Sequence, residues 1–205
     1  MSRSGTIIKI NDGLVDEAVD VLTEAFEFYP VFEFVLPQGT ERRRHKLQAL
    51  VYFYLMTRHL RRRPVYAVQE NGKLQAVVLA NPPGPAAPMP ELSALEKQLL
   101  HILGTEAEQR RLKYENASDD GEPRQPHFFI GMIGTRASAR GKGYGRRLIE
   151  KIADISASHP VSQGVALSTE DEENVKFYER LGFSITLETV VGPLRTWAMW
   201  RPDNK

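Results

Sequence analysis

Apolar residues recur along this chain with two different periods, and the alternation between them lays out the elements. Residues 6–10 are a short β-branched run that predicts a first strand. Leu14, Val15, Ala18, Val21, Leu22, Ala25 and Phe26 then share one helix face, with Asn11 or Asp12 as N-cap and Pro30 as the stop. Residues 29–37 are apolar but hold two prolines, which predicts a loop. Thr40 is placed to cap a second helix reaching Leu60, with Leu47, Leu50, Val51, Tyr54 and Leu55 inward. Strand-forming residues at 65–70 and 73–80 flank Asn71-Gly72, a dipeptide that accepts positive φ at both positions, so a tight hairpin is expected. Residues 81–90 carry five prolines and read as a stiff surface connection. Residues 91–116 read as helical with a break at Gly104-Thr105, and 117–125 as a polar loop.

Residues 127–135 form a buried-strand pattern containing Gly131 and Gly134, which signals a bulge or a close approach. A glycine-rich turn at 140–145 follows, then a helix over 146–156 with Leu148, Ile149, Ile152 and Ile155 on one face. Residues 165–169 read as a strand, and 174–181 as a short helix closed by Gly182. Residues 183–191 and 196–201 form a hairpin across Gly192-Pro193. Strands alternating with helices, without internal repeats, argue an α/β layered sheet.

The 205 residues suit one domain, or one with an insertion, and 41% hydrophobic residues suffice for its core. A net charge of +1 disfavours a general nucleic-acid binder, and Arg42-Arg43-Arg44 and Arg61-Arg62-Arg63 read as solvated faces. The absence of cysteine excludes disulfides, thiolate metal sites and a cysteine nucleophile. Histidines 45, 59, 101, 127 and 159 show no metal-ligand spacing, so no metal is expected. Residues 1–9 do not resemble a signal peptide, and no stretch approaches the roughly 20 apolar residues needed to cross a bilayer. A cytoplasmic protein without membrane or nucleic-acid partners is the expectation.

Strand, glycine-rich turn and helix in succession build an anion site. The first amides of the helix lack internal partners and carry the positive end of its dipole. Gly141, Gly143 and Gly145 let the backbone approach phosphate oxygens, and Arg140, Lys142, Arg146 and Arg147 add positive charge. The chemistry points to a diphosphate. A P-loop needs Lys then Ser or Thr after its last glycine, and a dinucleotide fingerprint needs a glycine where Arg146 stands; both are excluded.

Arg140-x-x-Gly143-x-Gly145 resembles the Gln/Arg-x-x-Gly-x-Gly/Ala signature of the GNAT superfamily of acyl-CoA N-acyltransferases. Asn174-Val-Lys-Phe-Tyr178-Glu-Arg-Leu-Gly182-Phe183 resembles that family's second signature. The likeness is specific over residues 127–201. More loosely, 30–37 and Asn81-Pro82-Pro83-Gly84 resemble the puromycin acetyltransferase-like branch. The resemblance implies a twisted, mixed, mainly antiparallel sheet flanked by helices, with central strands splayed beyond residue 135 around acetyl-CoA. It implies that the backbone of Ile133, Gly134 and Thr135, around a bulge, pairs with the pantetheine arm and holds the thioester oxygen. It further implies that Arg140, Gly141, Lys142, Gly143, Tyr144, Gly145 and Arg146 wrap the pyrophosphate, that Asn174 bonds the pantetheine, and that Tyr178 protonates the departing thiolate.

The strand before the turn carries no acid, so the base is open between His127 and Glu33, the latter in an apolar segment that would raise its pKa. Glu170-Asp171-Glu172-Glu173 reads as solvating its loop, and Trp197 and Trp200 as packing. The expected whole is one domain over 1–205: an acceptor-side half (1–90), a helical and loop insertion (91–126) and an acetyl-CoA-binding core (127–201). It would move acetyl from acetyl-CoA to a primary amine, with a homodimer open through the final hairpin. The alternatives are a protein or longer-acyl acyltransferase, or a degenerate coenzyme A-binding module.

Overall fold

The computed structural model describes residues 5–119, 121 and 123–204. The leader reading at residues 1–4, and residues 120 and 122 of the expected 117–125 loop, therefore fall outside the described residues, while 117–119 are not loop but the end of a helix. Among those described, one sheet has seven strands: β1 (Thr6–Lys9), β2 (Val65–Glu70), β3 (Lys73–Asn81), β4 (Phe128–Thr135), β5 (Gly164–Thr169), β6 (Ser184–Val191) and β7 (Leu194–Pro202). Their order is β1-β2-β3-β4-β5-β7-β6, antiparallel throughout except between β4 and β5. Helices α1 (Val15–Phe26), α2 (Pro30–Val35), α3 (Arg43–His59), α4 (Pro90–Leu103), α5 (Thr105–Asp119), α6 (Tyr144–Ser158) and α7 (Glu172–Glu179) flank it. This is the mixed, mainly antiparallel α/β architecture that the sequence implies.

Each strand presents alternate residues to opposite faces, so one sheet supports two cores. Val77 and Leu79 of β3 face Leu22 of α1 and Leu47, Leu50 and Leu55 of α3. Val78 and Ala80 face the other way, with Phe128, Val165 and the α6 residues Leu148, Ile149 and Ile152. The Asn71-Gly72 hairpin is present, with φ of 52° and 76° at the two turn positions. Gly104, at φ 80°, separates α4 from α5 where the sequence breaks.

Several expectations are corrected. The apolar segment at 29–37 is not a loop: Pro30 opens α2, where its missing N–H costs nothing. Thr40 does not cap α3; its hydroxyl donates to Pro37 O at 2.7 Å, and Arg42, at φ 53°, precedes the helix. Nor is Arg43 merely solvated, since its guanidinium donates to Leu36 O and Glu27 O, both at 2.7 Å.

The most consequential corrections lie in β4. It pairs with β5 only from Phe128 to Ile130, so the strands part at Ile130 and not beyond residue 135. Its register against β3 passes from Leu79↔Met132 to Ala80↔Ile130, leaving Gly131 unmatched. The bulge is therefore at Gly131 rather than at residues 133–135. An extra residue sharpens strand twist and turns β4 away from β5.

Gly134 has a different task. A Cβ there would stand 2.7 Å from Ala25 Cβ and 3.1 Å from Leu22 Cδ2, so the glycine seats α1 on β4. Gly134→Val is expected to lower stability by about 1–3 kcal/mol through overpacking, read as a lower urea midpoint. An unshifted midpoint would mean that α1 is not seated there.

Candidate active site

A cavity of about 210 Å³ opens where β4 and β5 diverge. Gly131, Met132 and Ile133 of β4 line it, with Leu167 and Ser168 of β5, Asn174 and Tyr178 of α7, and an apolar wall from Tyr29, Phe32 and Val35. Beyond Ile130, alternate amides and carbonyls of β4 point toward the missing neighbour, open to an extended ligand. Ile133, Gly134 and Thr135 belong to that stretch.

Tyr178 is brought into this cavity by α7. Asp171 caps the helix, its carboxylate accepting from Glu173 N at 2.9 Å, and Gly182 at φ 87° closes the turn after it. The Tyr178 ring is 7% exposed and rests against Phe177 and Phe183, at 5.4 and 5.8 Å between centroids. Its hydroxyl is in no hydrogen bond among the described residues, while the ring lines the cavity. Burial, and then the charges of Glu170 and Asp171, push the phenol well above its ordinary pKa.

A carboxylate does enter this cavity, from the residue that follows β5. Glu170 lines the same cavity and accepts from Tyr114 Oη at 2.6 Å. Its own N–H donates to Tyr29 Oη at 3.1 Å, and that hydroxyl lies 2.9 Å from Thr169 Oγ1. Burial raises the Glu170 pKa, against the lowering effect of the phenolic hydrogen bonds. Grouping Glu170 with Glu173 as loop-solvating acids is thus corrected. The legible signal was that Glu170 directly follows the predicted strand, whereas Glu172 and Glu173 enter the helix.

The two bases proposed from sequence are not brought here. His127 precedes β4 at the end remote from the opening; its Nδ1 donates to Gln125 O at 2.7 Å and its ring meets Trp200 edge-on at 6.0 Å. It lines a separate depression with Arg63 and Asn81. Glu33 stands outside the cavity wall and accepts from Gln38 Nε2 at 2.9 Å.

The glycine-rich turn leads directly into α6. Gly141 and Gly143 have φ of 79° and 78°, with nothing within 4 Å of a would-be Cβ, so conformation rather than crowding calls for glycine. Gly143 is the N-cap, which puts the first amides of α6 at Tyr144, Gly145 and Arg146. Arg140 and Arg146 are exposed, whereas Lys142 is held by Glu70 at 3.0 Å. Tyr144 is 2% exposed, so only its backbone faces the turn. Arg136 Nη1 and Ala137 N both donate to Glu24, at 2.9 and 2.8 Å, fastening the turn's approach to α1.

Among the described residues there is no cluster of three or more His, Asp or Glu placed to hold a metal, and no helix long and apolar enough to cross a membrane. The model of the acetyltransferase (GNAT) family matches residues 24–183. A crystal structure from Corynebacterium glutamicum, described as histone acetyltransferase HPA2 and related acetyltransferase, is 23% identical with a TM-score of 0.75, and the match covers 98% of each chain. Arylalkylamine N-acetyltransferase 2 from Aedes aegypti is 18% identical with a TM-score of 0.63, covering 98% of this chain and 99% of that one. Naa50 from Arabidopsis thaliana, solved with the bisubstrate analogue CoA-Ac-MVNAL, is 12% identical with a TM-score of 0.57, covering 97% and 98%. At these identities the solved structures establish the fold.

Proposed function

The chain belongs to the acetyltransferase (GNAT) family, and from that premise we propose that it transfers the acetyl group of acetyl-CoA to the primary amine of a small molecule by direct attack. The observation that carries this reading is that Glu170 and Tyr178 face one cavity at the point where β4 and β5 part.

The residues fit acetyl-CoA as the family's donor. Gly141, Gly143 and the first amides of α6 suit the pyrophosphate, the open edge of β4 at 133–135 suits the pantetheine amides, and Asn174 faces the same channel. Acetyl-CoA supplies the thioester. An alkylamine has a pKa of about 10 and must lose a proton to attack. The Glu170 carboxylate takes that proton, and burial makes it a stronger base than an exposed carboxylate. The amine nitrogen bonds to the carbonyl carbon, and a β4 amide past the bulge donates to the developing oxyanion. The C–S bond then breaks, Tyr178 gives its phenolic proton to the coenzyme A sulfur, and the resulting phenolate recovers a proton from the acylated nitrogen, which must shed its second one to become an amide. The raised pKa of Tyr178 keeps that proton in place at neutral pH until the thiolate forms.

The small size of the cavity and its apolar wall favour a small amine over a folded protein segment. Free thiol release from acetyl-CoA across a panel of small amines tests the proposal, with amide and coenzyme A expected in equal amounts. Coenzyme A binding without turnover on any amine or peptide would point instead to a binding module. Gly143→Ala is expected to weaken coenzyme A binding about tenfold, because an L side chain resists the left-handed conformation. Calorimetric titration with coenzyme A measures it.

A further inference from the structure

Arg58, in the last turn of α3, brings to this cavity a cation that forms no ion pair with a carboxylate among the described residues, the charge of Glu115 acting on it only from beyond contact. Its Nη1 donates to Tyr54 O of its own helix at 2.9 Å, and its Nε is buried without a partner. Its Nη2 lies over the bulge, 2.3 Å from where a Gly131 Cβ would stand, which explains the second demand for glycine in β4. The neighbouring carboxylates are engaged elsewhere. Glu115 takes Arg111 Nη1 at 2.6 Å and the Tyr54 hydroxyl at 2.6 Å, Glu108 takes Arg111 Nη2 at 2.6 Å, and Glu170 takes Tyr114. Arg61 and Arg63 add like charge nearby. Burial draws the Arg58 pKa down to about 10, which still leaves it cationic at neutral pH.

A withdrawn guanidinium with no carboxylate in direct contact is costly unless a ligand provides one, and a planar fork matches a carboxylate. We propose that Arg58 receives a carboxylate of the acceptor, so that the amine acetylated here is an amino-acid-like molecule: a carboxylate and an amine on a small apolar body. The body lies against Phe26, Phe32, Val35, Leu50 and Met132, which line the same cavity. The acetyl group carries no carboxylate, which leaves the acceptor as the source. This inference rests on the reading of the cavity as the acceptor site.

The test uses amine pairs that differ only in the carboxylate: phenylalanine with phenethylamine, leucine with 3-methylbutylamine, and 4-aminobutyrate with propylamine. The expected result is at least about a tenfold higher kcat/KM for one or more carboxylate-bearing members, carried by KM, and collapse of that ratio toward one in Arg58→Met. Arg58→Lys should keep part of it. Arg58→Met should melt no lower than the parent, since it removes a buried unpaired charge; a large loss of stability would indicate a structural cation and overturn the proposal. Turnover without preference in any pair overturns it, as does a preference confined to succinyl-CoA over acetyl-CoA that Arg58→Met removes. If no amine is turned over, calorimetry with coenzyme A present decides: phenylalanine binding lost in Arg58→Met supports the carboxylate site while the acetyl-transfer reading falls, and absence of amino-acid binding overturns the site itself.

Discussion

Replacing Glu170 with glutamine is expected to lower turnover of acetyl-CoA and amine by ~10²–10⁴-fold, the usual scale for loss of a positioned proton acceptor. Coenzyme A binding should not change, because the glycine-rich turn and the open edge of β4, to which the proposal assigns that binding, lie on other elements. Glutamine keeps an oxygen to accept from Tyr114, so the local bonding survives. In the parent, kcat/KM should climb with pH through the carboxyl's raised pKa, and Glu170→Gln should lose that limb. The sign for stability runs the other way. Burial lifts the folded pKa of Glu170 above its ordinary 4.5, so its contribution to stability is present in acid and is lost as pH rises through the folded value. Glu170→Gln is neutral throughout. It is therefore expected to melt at or above the parent at pH 7, with the advantage fading toward pH 4. Full activity in this variant would remove Glu170 from the mechanism.

Tyr178→Phe is expected to lower turnover at least about tenfold while leaving the fold and coenzyme A affinity nearly unchanged. The hydroxyl makes no hydrogen bond among the described residues, so removing it breaks no internal partnership. The ring keeps its seat against Phe177 and Phe183. The loss should therefore be confined to expulsion of the thiolate, visible as reduced kcat in thiol-release kinetics. Unchanged kcat would assign Tyr178 to packing alone.

The part of the site that the proposal gives to the cofactor was legible as local structure because it is built from consecutive residues. Gly141 and Gly143 state a backbone conformation, α6 follows at once, and Asn174 and Tyr178 sit at a fixed helical spacing on α7. The part the proposal gives to the acceptor was not, because the residues that line the cavity there come from distant segments: Tyr29 before α2, Arg58 on α3, Tyr114 on α5 and Glu170 after β5. Glu170 in particular stands at the head of an acidic run whose other members are exposed or partly exposed, and charge alone does not distinguish it. His127 stands at the start of an acid-free strand and Glu33 in an apolar segment, which is what made them candidates along the chain; neither lines the cavity once β4 and α2 are set in place.

What the sequence determined by itself was local: the strand–turn–helix at 128–158, the Asn71-Gly72 hairpin, the break at Gly104, and the two signatures that implied the family. These depend on φ preferences and side-chain periodicity, which act between near neighbours. Tertiary structure alone decided where β4 leaves β5. That point is set by one unmatched residue, Gly131, whose missing side chain leaves room for the Arg58 guanidinium. The same packing that opens the cleft at Ile130 carries Glu170 into it and withdraws it from water, and no pattern along the chain records that burial.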